Sequence, residues 1–173
     1  MRLIRGHSAA LIVGLALLCA PVFPVSAVAK STLAEAAWQA YLQGDFAAAV
    51  NGFKHLANGG VVKAQTNLGY MYSVGKGVNQ DPVEAARWFR MAAEHGHVGA
   101  QVTVGLFYWN GEGVEQNVVA AYAWFALAAA GGHETATDYQ ALAADEMTPA
   151  ELGSAHDLAK KLYAEYGRKT SLW

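Results

Sequence analysis

The chain has almost no cysteine: among its 173 residues, only Cys19 carries a thiol. Cys19 lies in an apolar stretch near the N-terminus, so the rest of the chain can form no disulfide, thiolate metal site or cysteine nucleophile. A lipid attachment site would have a small residue directly before the cysteine, and Leu18 is not small. Thiol chemistry is therefore excluded for most of the protein.

Positive charge is also scarce. Twelve Lys and Arg residues stand against 14 Asp and Glu residues, and they form neither a basic cluster nor a basic stretch interleaved with aromatic residues. Proteins that bind nucleic acids use such patches to neutralise phosphates. We therefore expect no nucleic-acid partner.

The one long apolar run is short for a membrane anchor. Residues 9–19 follow Arg2 and Arg5, and small residues occupy positions 27 and 29. This pattern is typical of a signal peptide, and the run is shorter than the roughly 20 residues that span a bilayer as a helix. We expect cleavage after Ala29, a periplasmic or secreted location, and no stable membrane insertion after cleavage.

Removal of residues 1–29 leaves residues 30–173, with ten basic and 14 acidic residues and thus a formal charge of −4. That length corresponds to one ordinary domain that can bury a core of its own. No Gly-rich phosphate loop follows a strand, and no serine stands in a G-x-S-x-G pattern. We expect no cofactor and no metal.

Two segments of this domain repeat each other at a spacing of 36 residues. Residues 64–97 and 100–133 align without a gap, and 16 of the 34 aligned positions are identical. Self-similarity at a fixed period is the signature of a repeat architecture. A degenerate copy lies one period earlier, where Asp45 and Phe53 precede Asp81 and Phe89 by 36 residues.

The repeated residues predict a pair of helices. Ala64, Leu68 and Met71 fall at helical spacing and form the buried stripe of a first helix. Asp81 and Glu84 predict a capping box at the start of a second helix. Turn and packing residues that recur in both copies complete each repeat: Gly69, Gly75, Gly77 and Trp88, matched by Gly105, Gly111, Gly113 and Trp124.

Gly69 and Gly105 interrupt the first helices at a cost of about 1 kcal/mol each relative to alanine. That cost predicts close contact with a neighbouring helix at both positions. The paired glycines further along each copy end the first helix and turn the chain.

The repeat period divides the domain into four units of two helices. We expect about eight helices and no strand. The units are a divergent repeat at 31–62 with its first helix near residues 31–43, repeats at 63–98 and 99–134, a C-terminal capping helix pair at 135–167, and a tail at 168–173.

At these residues the sequence resembles the Sel-one-like repeat family of the tetratricopeptide-like superfamily. The match includes Ala64, Gly69, Tyr72, Trp88 and Phe89, and their equivalents from Ala100 onward. The resemblance implies a right-handed α/α superhelix of antiparallel helix pairs that serves as an adaptor surface. None of the motif residues is a catalytic group.

Two sets of side chains could still carry chemistry. His95, His97 and His133 lie near the ends of second helices and could hold a metal, but at such places histidine more often satisfies terminal carbonyls. Glu112 and Glu115 could act as an acid–base pair, but they are equally consistent with solvated charges in a turn.

The face of the first helices opposite the buried stripe is the expected binding surface, because the inner surface of a curved solenoid is lined by these helices. Side chains of amide, aromatic and aliphatic type suit a protein or peptide partner. Trp109 has Ser73 as its counterpart, so it could be an exposed anchor or could pack against the closing pair. The candidate binding residues are Asn67, Tyr70, Val74, Thr103, Leu106, Trp109 and Asn110.

Three functions follow from these observations. The first is an exported, non-enzymatic adaptor that binds a protein or peptide on its concave face. The second is a cell-envelope structural factor that binds wall polymer, and the third is a small hydrolase that depends on Glu112 and Glu115.

Overall fold

A computed structural model describes residues 25–167 of the chain. Cys19 and the tail at 168–173 lie outside these residues. Within them there are eight helices and no strand, which confirms the predicted all-α fold. The helices are α1 (Val25–Leu42), α2 (Phe46–Asn58), α3 (Val62–Val74), α4 (Pro82–Glu94), α5 (Val98–Asn110), α6 (Val118–Ala130), α7 (Ala136–Asp145) and α8 (Pro149–Tyr166).

The helices stack in chain order as a solenoid. In the first three pairs, each first helix packs against the second helix of its own pair, and each of these second helices packs against the first helix of the next pair. No helix in the described part of the chain is long and apolar enough to cross a membrane.

The second helices begin at polar residues spaced 36 apart. Asp45, Asp81 and Asn117 each accept a hydrogen bond from a backbone N–H two or three residues later, at 2.9–3.0 Å. These bonds satisfy donors that have no partner within the helix. The predicted reciprocal bond from Glu84 is wrong, because its carboxylate instead accepts from Arg87 at 2.9 Å.

Glycines inside the first helices allow close approach of the paired helix, as predicted. A Cβ atom at Gly69 would lie 2.7 Å from the ring of Phe89, and one at Gly105 would overlap the ring of Phe125. Both rings belong to the second helix of the same repeat. The glycines therefore make room for an aromatic side chain inside each helix pair.

The second glycine of each turn lies against the preceding helix pair. Gly77 has φ +77°, and a Cβ there would lie 2.5 Å from the backbone of Phe46 at the start of α2. Gly113, with φ +69°, meets the carbonyl of Pro82 at the start of α4 in the same way. Only glycine combines this backbone conformation with so close a contact.

A buried glutamine joins successive repeats. Gln65 and Gln101 are fully buried, and their side-chain amides donate to the carbonyl oxygens of Ala57 at 3.1 Å and Ala93 at 3.2 Å. Each bond links a first helix to the end of the preceding second helix. The two glutamines are repeat equivalents, so the same link recurs at both junctions.

The first unit differs from its expected form. The structure describes α1 from Val25, so the helix extends further towards the N-terminus than the expected start near residue 31. The predicted cleavage point after Ala29 therefore lies inside this helix. At the centre of the pair, Gly52 of α2 packs against Ala37, which would be 2.7 Å from a Cβ at that glycine.

The closing unit does not continue the solenoid regularly. Helix α8 lies along α6 and leaves most of α7 uncovered. Tyr166 of α8 stacks on Trp124 with ring centroids 6.1 Å apart, and the Tyr122 hydroxyl bonds to His156 at 2.9 Å. Helix α6 is consequently covered on two sides, and nearly all of its residues from 120 to 128 are buried.

Candidate binding surface

The outward side of α3 carries three of the predicted binding residues. Tyr70 is 47% exposed and Val74 is 51% exposed, while Asn67 is half-buried. The opposite side of α3 packs through Leu68 and Met71, which are fully buried. Tyr70 and Val74 therefore present apolar surface that the packing of the repeat does not use.

The equivalent side of α5 is more closely packed than predicted. Asn110 is exposed and Thr103 is half-buried, with its hydroxyl bonded to the Gly99 carbonyl at 3.0 Å. Leu106 packs against the C-terminal core cluster. The expectation that Leu106 is free surface is wrong, because the closing unit covers this part of α5.

Trp109 packs inward against the closing unit. Its ring meets Phe125 and Tyr139 edge-on, with centroids 5.8 Å and 6.3 Å away, and its indole N–H donates to a Glu146 carboxylate oxygen at 2.9 Å. The aromatic side chain joins α5 to α6 and α7. Of the two predicted roles for Trp109, the structure therefore favours the packing role.

The surface continues onto α7, which the sequence reasoning did not include. Leu142 lies 36 residues after Leu106 and 72 after Tyr70, and it is 52% exposed. Ala136 is fully buried at the position that corresponds to Ala64 and Ala100, so α7 keeps the phase of the repeat. The 36-residue spacing was the signal that could have identified Leu142.

We call this surface the first-helix face: the outward sides of α3, α5 and α7. It comprises Asn67, Tyr70, Val74, Thr103, Leu106, Asn110 and Leu142. In a solenoid, equivalent positions of successive repeats lie side by side on the same face. Tyr70 and Leu142 are thus the exposed ends of an apolar row, and the half-buried Leu106 lies between them at the equivalent position of α5.

The carboxylates near the repeat turns either stabilise a helix or lie on the surface. Asp81 caps α4, and Glu84 forms an ion pair with Arg87 at 2.9 Å. Glu112 and Glu115 are exposed in the turn after α5. An acid–base pair works in a cleft that excludes water and holds a substrate, whereas these two side chains are exposed.

The three histidines have different roles at helix ends. His95 bonds to the Met91 carbonyl at 2.7 Å, as predicted for a helix C-terminus. His97 instead caps the start of α5, where its ring accepts from the Ala100 N–H at 3.1 Å, so the prediction is wrong for this residue. Burial lowers the pKa of His97, which favours the neutral ring that this bond requires.

His133 contacts the Thr135 hydroxyl at 3.4 Å. Among residues 25–167, no group of three or more His, Cys, Asp or Glu side chains is arranged to hold a metal ion.

A separate groove lies on the second-helix side, between α6 and α8. Its volume is about 450 Å³, and its walls include Leu127, Lys160 and the half-exposed Tyr163. The walls are mostly alanine and aliphatic surface. This groove is the alternative site for a bound segment.

Comparison with known proteins identifies the repeat. The Sel1 repeat model matches residues 62–97 and 99–133. A Sel1 repeat protein from Oxalobacter formigenes superposes with a TM-score of 0.59 and 34% sequence identity, over 66% of this chain and 90% of that chain. The chain belongs to the Sel1 repeat family.

A second Sel1-like structure is considerably longer. The protective antigen c5321 of uropathogenic Escherichia coli, which displays an SLR fold, superposes with a TM-score of 0.74 and 31% identity over 82% of this chain. The chain spans only 31% of the length of that protein. No curated protein matches the chain.

Sel1 repeats are generally protein–protein interaction scaffolds, and the fold is typically non-catalytic.

Proposed function

We propose that this Sel1 repeat protein is exported and acts as a scaffold that holds a protein or peptide segment on its first-helix face. The observation that carries the proposal is the exposure of Tyr70 and Val74 at 47% and 51%. Apolar side chains that pack nothing in the monomer often mark an interaction site. The turn glycines and buried tryptophans of the repeat serve packing, so this face is available for a partner.

Substitution of two exposed residues tests the face. Tyr70→Glu combined with Val74→Glu places charges where a partner would bury apolar surface, which typically costs several kcal/mol of binding. We expect partner capture from an envelope extract of the native host, quantified by mass spectrometry, to fall at least about tenfold, which corresponds to about 1.4 kcal/mol.

The matched control carries the same two changes on the other side of the solenoid. Val83 and Tyr163 are 63% and 56% exposed on α4 and α8, and we expect Val83→Glu with Tyr163→Glu to leave capture unchanged. The free energy of unfolding of both double variants should lie within about 0.5 kcal/mol of the wild-type value, since surface substitutions usually have effects of this size. Loss of capture in the control alone would place the partner on the second helices and overturn the proposal.

Export is the second part of the proposal, and it rests on Arg2, Arg5 and the short apolar run that follows. The species purified from the periplasm should begin at Lys30, as measured by N-terminal sequencing and intact mass. Ala27→Leu with Ala29→Leu should block cleavage, because the peptidase requires small residues there. Full-length wild-type chain recovered in the membrane fraction would contradict cleavage.

A further inference from the structure

The end of the apolar row on α7 is uncovered. Leu142 is 52% exposed, and Ala141 beside it is also exposed. In α5 the position equivalent to Leu142 packs against the closing unit. Because α8 lies along α6, no element in the described part of the chain covers the side of α7 that carries Leu142.

Carboxylates border this apolar surface. Asp138 and Asp145 are exposed on α7, one turn before and after the Ala141–Leu142 pair, so all of them share one side of the helix. The uncovered side of α7 is therefore an apolar centre between two negative charges.

Among residues 25–167, no ion pair with a Lys or Arg balances these carboxylates. Between Arg90 and Lys160 there are nine Asp and Glu residues and no Lys or Arg. Among residues 25–167 the ion pairs join Arg87 to Glu84, Arg90 to Glu94 and Lys160 to Asp157. These pairs leave the α7 carboxylates without a cationic partner, and a bound segment could supply one.

We infer that the partner of the first-helix face is a basic amphipathic segment of another protein. Its apolar side chains lie on the exposed Tyr70 and Leu142, across the half-buried Leu106, and its Lys or Arg side chains face Asp138 and Asp145. The inference rests on the proposed function and adds the chemistry of the partner. Charge complementarity of this kind selects partners and speeds their association.

Two labelled peptides test the inference. One is an amphipathic peptide of about 14 residues, or roughly four helical turns, built from Leu and Lys; the other has every Lys replaced by Glu. By fluorescence anisotropy, the purified domain should bind the Lys peptide at least about tenfold more tightly. Raising the salt concentration from about 0.05 M to about 0.5 M should weaken binding of the Lys peptide severalfold, because salt shortens the electrostatic screening length.

Matched variants locate the site. Asp138→Asn with Asp145→Asn should weaken binding of the Lys peptide about fivefold, a typical effect for two partly screened charges. Glu35→Gln with Asp157→Asn changes the net charge equally on α1 and α8 and should have no effect. Equal weakening by both double variants would show attraction to net charge alone and would overturn the inference.

Other outcomes separate the inference from the proposed function. Failure of the Lys peptide to bind, with native capture still sensitive to Tyr70→Glu, would overturn the basic partner and leave the binding face in place. Binding that depends on Asp138 and Asp145, with native capture insensitive to Tyr70→Glu, would support a cationic site on α7 and contradict the wider face. Sedimentation showing a dimer that Leu142→Ser dissociates would assign the surface to a second copy and overturn the inference.

Discussion

At the scale of single residues, glycine determines how closely the helices approach. Gly69 and Gly105 carry no side chain where the rings of Phe89 and Phe125 enter. Their cost in helix propensity is about 1 kcal/mol each, and the buried ring offsets it. This requirement could be predicted from a repeated glycine within a helical pattern, although the partner ring could not.

Gly69→Val tests this contact. The valine would collide with the Phe89 ring, so we expect the free energy of unfolding to fall by about 1–3 kcal/mol, the usual cost of overpacking. Ser73→Val, one turn later and half-exposed, should change it by less than about 0.5 kcal/mol. Urea unfolding followed by circular dichroism compares the two, and equal destabilisation would mean that Gly69 does not face the ring.

His97 is a second residue whose role depends on its local geometry. Its ring accepts the Ala100 N–H only in the neutral form, and burial lowers its pKa below the usual 6.5 of histidine. The unfolded chain therefore binds more protons than the folded chain as the pH falls below 6.5. The contribution of this cap is fully present above that pH and is lost as the pH falls through the lower folded pKa.

The pH dependence of unfolding checks this role. His97→Asn keeps a side-chain cap acceptor without a titrating ring, so the variant should lose less stability than the wild type between about pH 7.5 and pH 5. His133→Asn is the matched control at the equivalent position, where the ring contacts Thr135. An identical pH profile for wild type and His97→Asn would contradict the capping role.

At the scale of helices, α6 differs from α4 although they are repeat equivalents. Glu84, Arg87, Arg90 and Glu94 of α4 are all replaced by alanine in α6. A helix that is apolar on all sides is buried on all sides, and α8 provides the additional cover. These four replacements were the signal in the sequence that α6 would be covered on a further side, although they do not show which helix covers it.

Exchange of one residue between α4 and α6 tests this cover. Ala123 is fully buried, whereas the equivalent Arg87 is 54% exposed as a side chain. Ala123→Arg should cost about 3 kcal/mol or more, because it buries an unpaired charge. Arg87→Ala should cost at most about 1 kcal/mol, the range for an exposed ion pair. Thermal unfolding that shows a mild effect at Ala123 would contradict the packing of α8 on α6.

Most helix boundaries could be predicted, and the reasons for the exceptions are physical. Capping residues at 36-residue spacing marked the second helices, because a cap is a local interaction. The start of α1 in the exported chain stays a prediction, because small residues such as Ala27 and Ala29 are compatible with both a cleavage site and a helix. The position of α8 depends on contacts between distant parts of the chain, which a local pattern does not show.

The candidate surface was predicted only in part. Tyr70 and Val74 are exposed as expected, because their positions follow from the phase of α3. Leu106 has the same phase as Tyr70 but packs against the C-terminal core cluster, as does Trp109, so phase alone could not identify them as packed. Leu142 was missed because α7 has diverged from the repeat motif.

At the scale of the whole molecule, the residues that pack the first helices and the residues that form the candidate binding surface lie on different sides of these helices. Repeated residues build the helix pairs, and the outward sides of the first helices carry residues that differ between repeats. Such a solenoid presents a continuous surface to one partner segment. The central claim is therefore that a partner occupies the first-helix face, from Tyr70 to Leu142.

Site-specific photo-crosslinking in the native host tests this claim most directly. A photoreactive phenylalanine analogue would replace Tyr70 or Leu142 on the first-helix face. The control sites are Val83 on α4 and Tyr163 beside the groove between α6 and α8. Each of these four residues is about half exposed or more. We expect one and the same protein to be crosslinked from Tyr70 and Leu142, with mass spectrometry locating the crosslinks in a basic segment, and little product from Val83 and Tyr163. Strong crosslinks from Val83 or Tyr163, with none from Tyr70 and Leu142, would contradict the account.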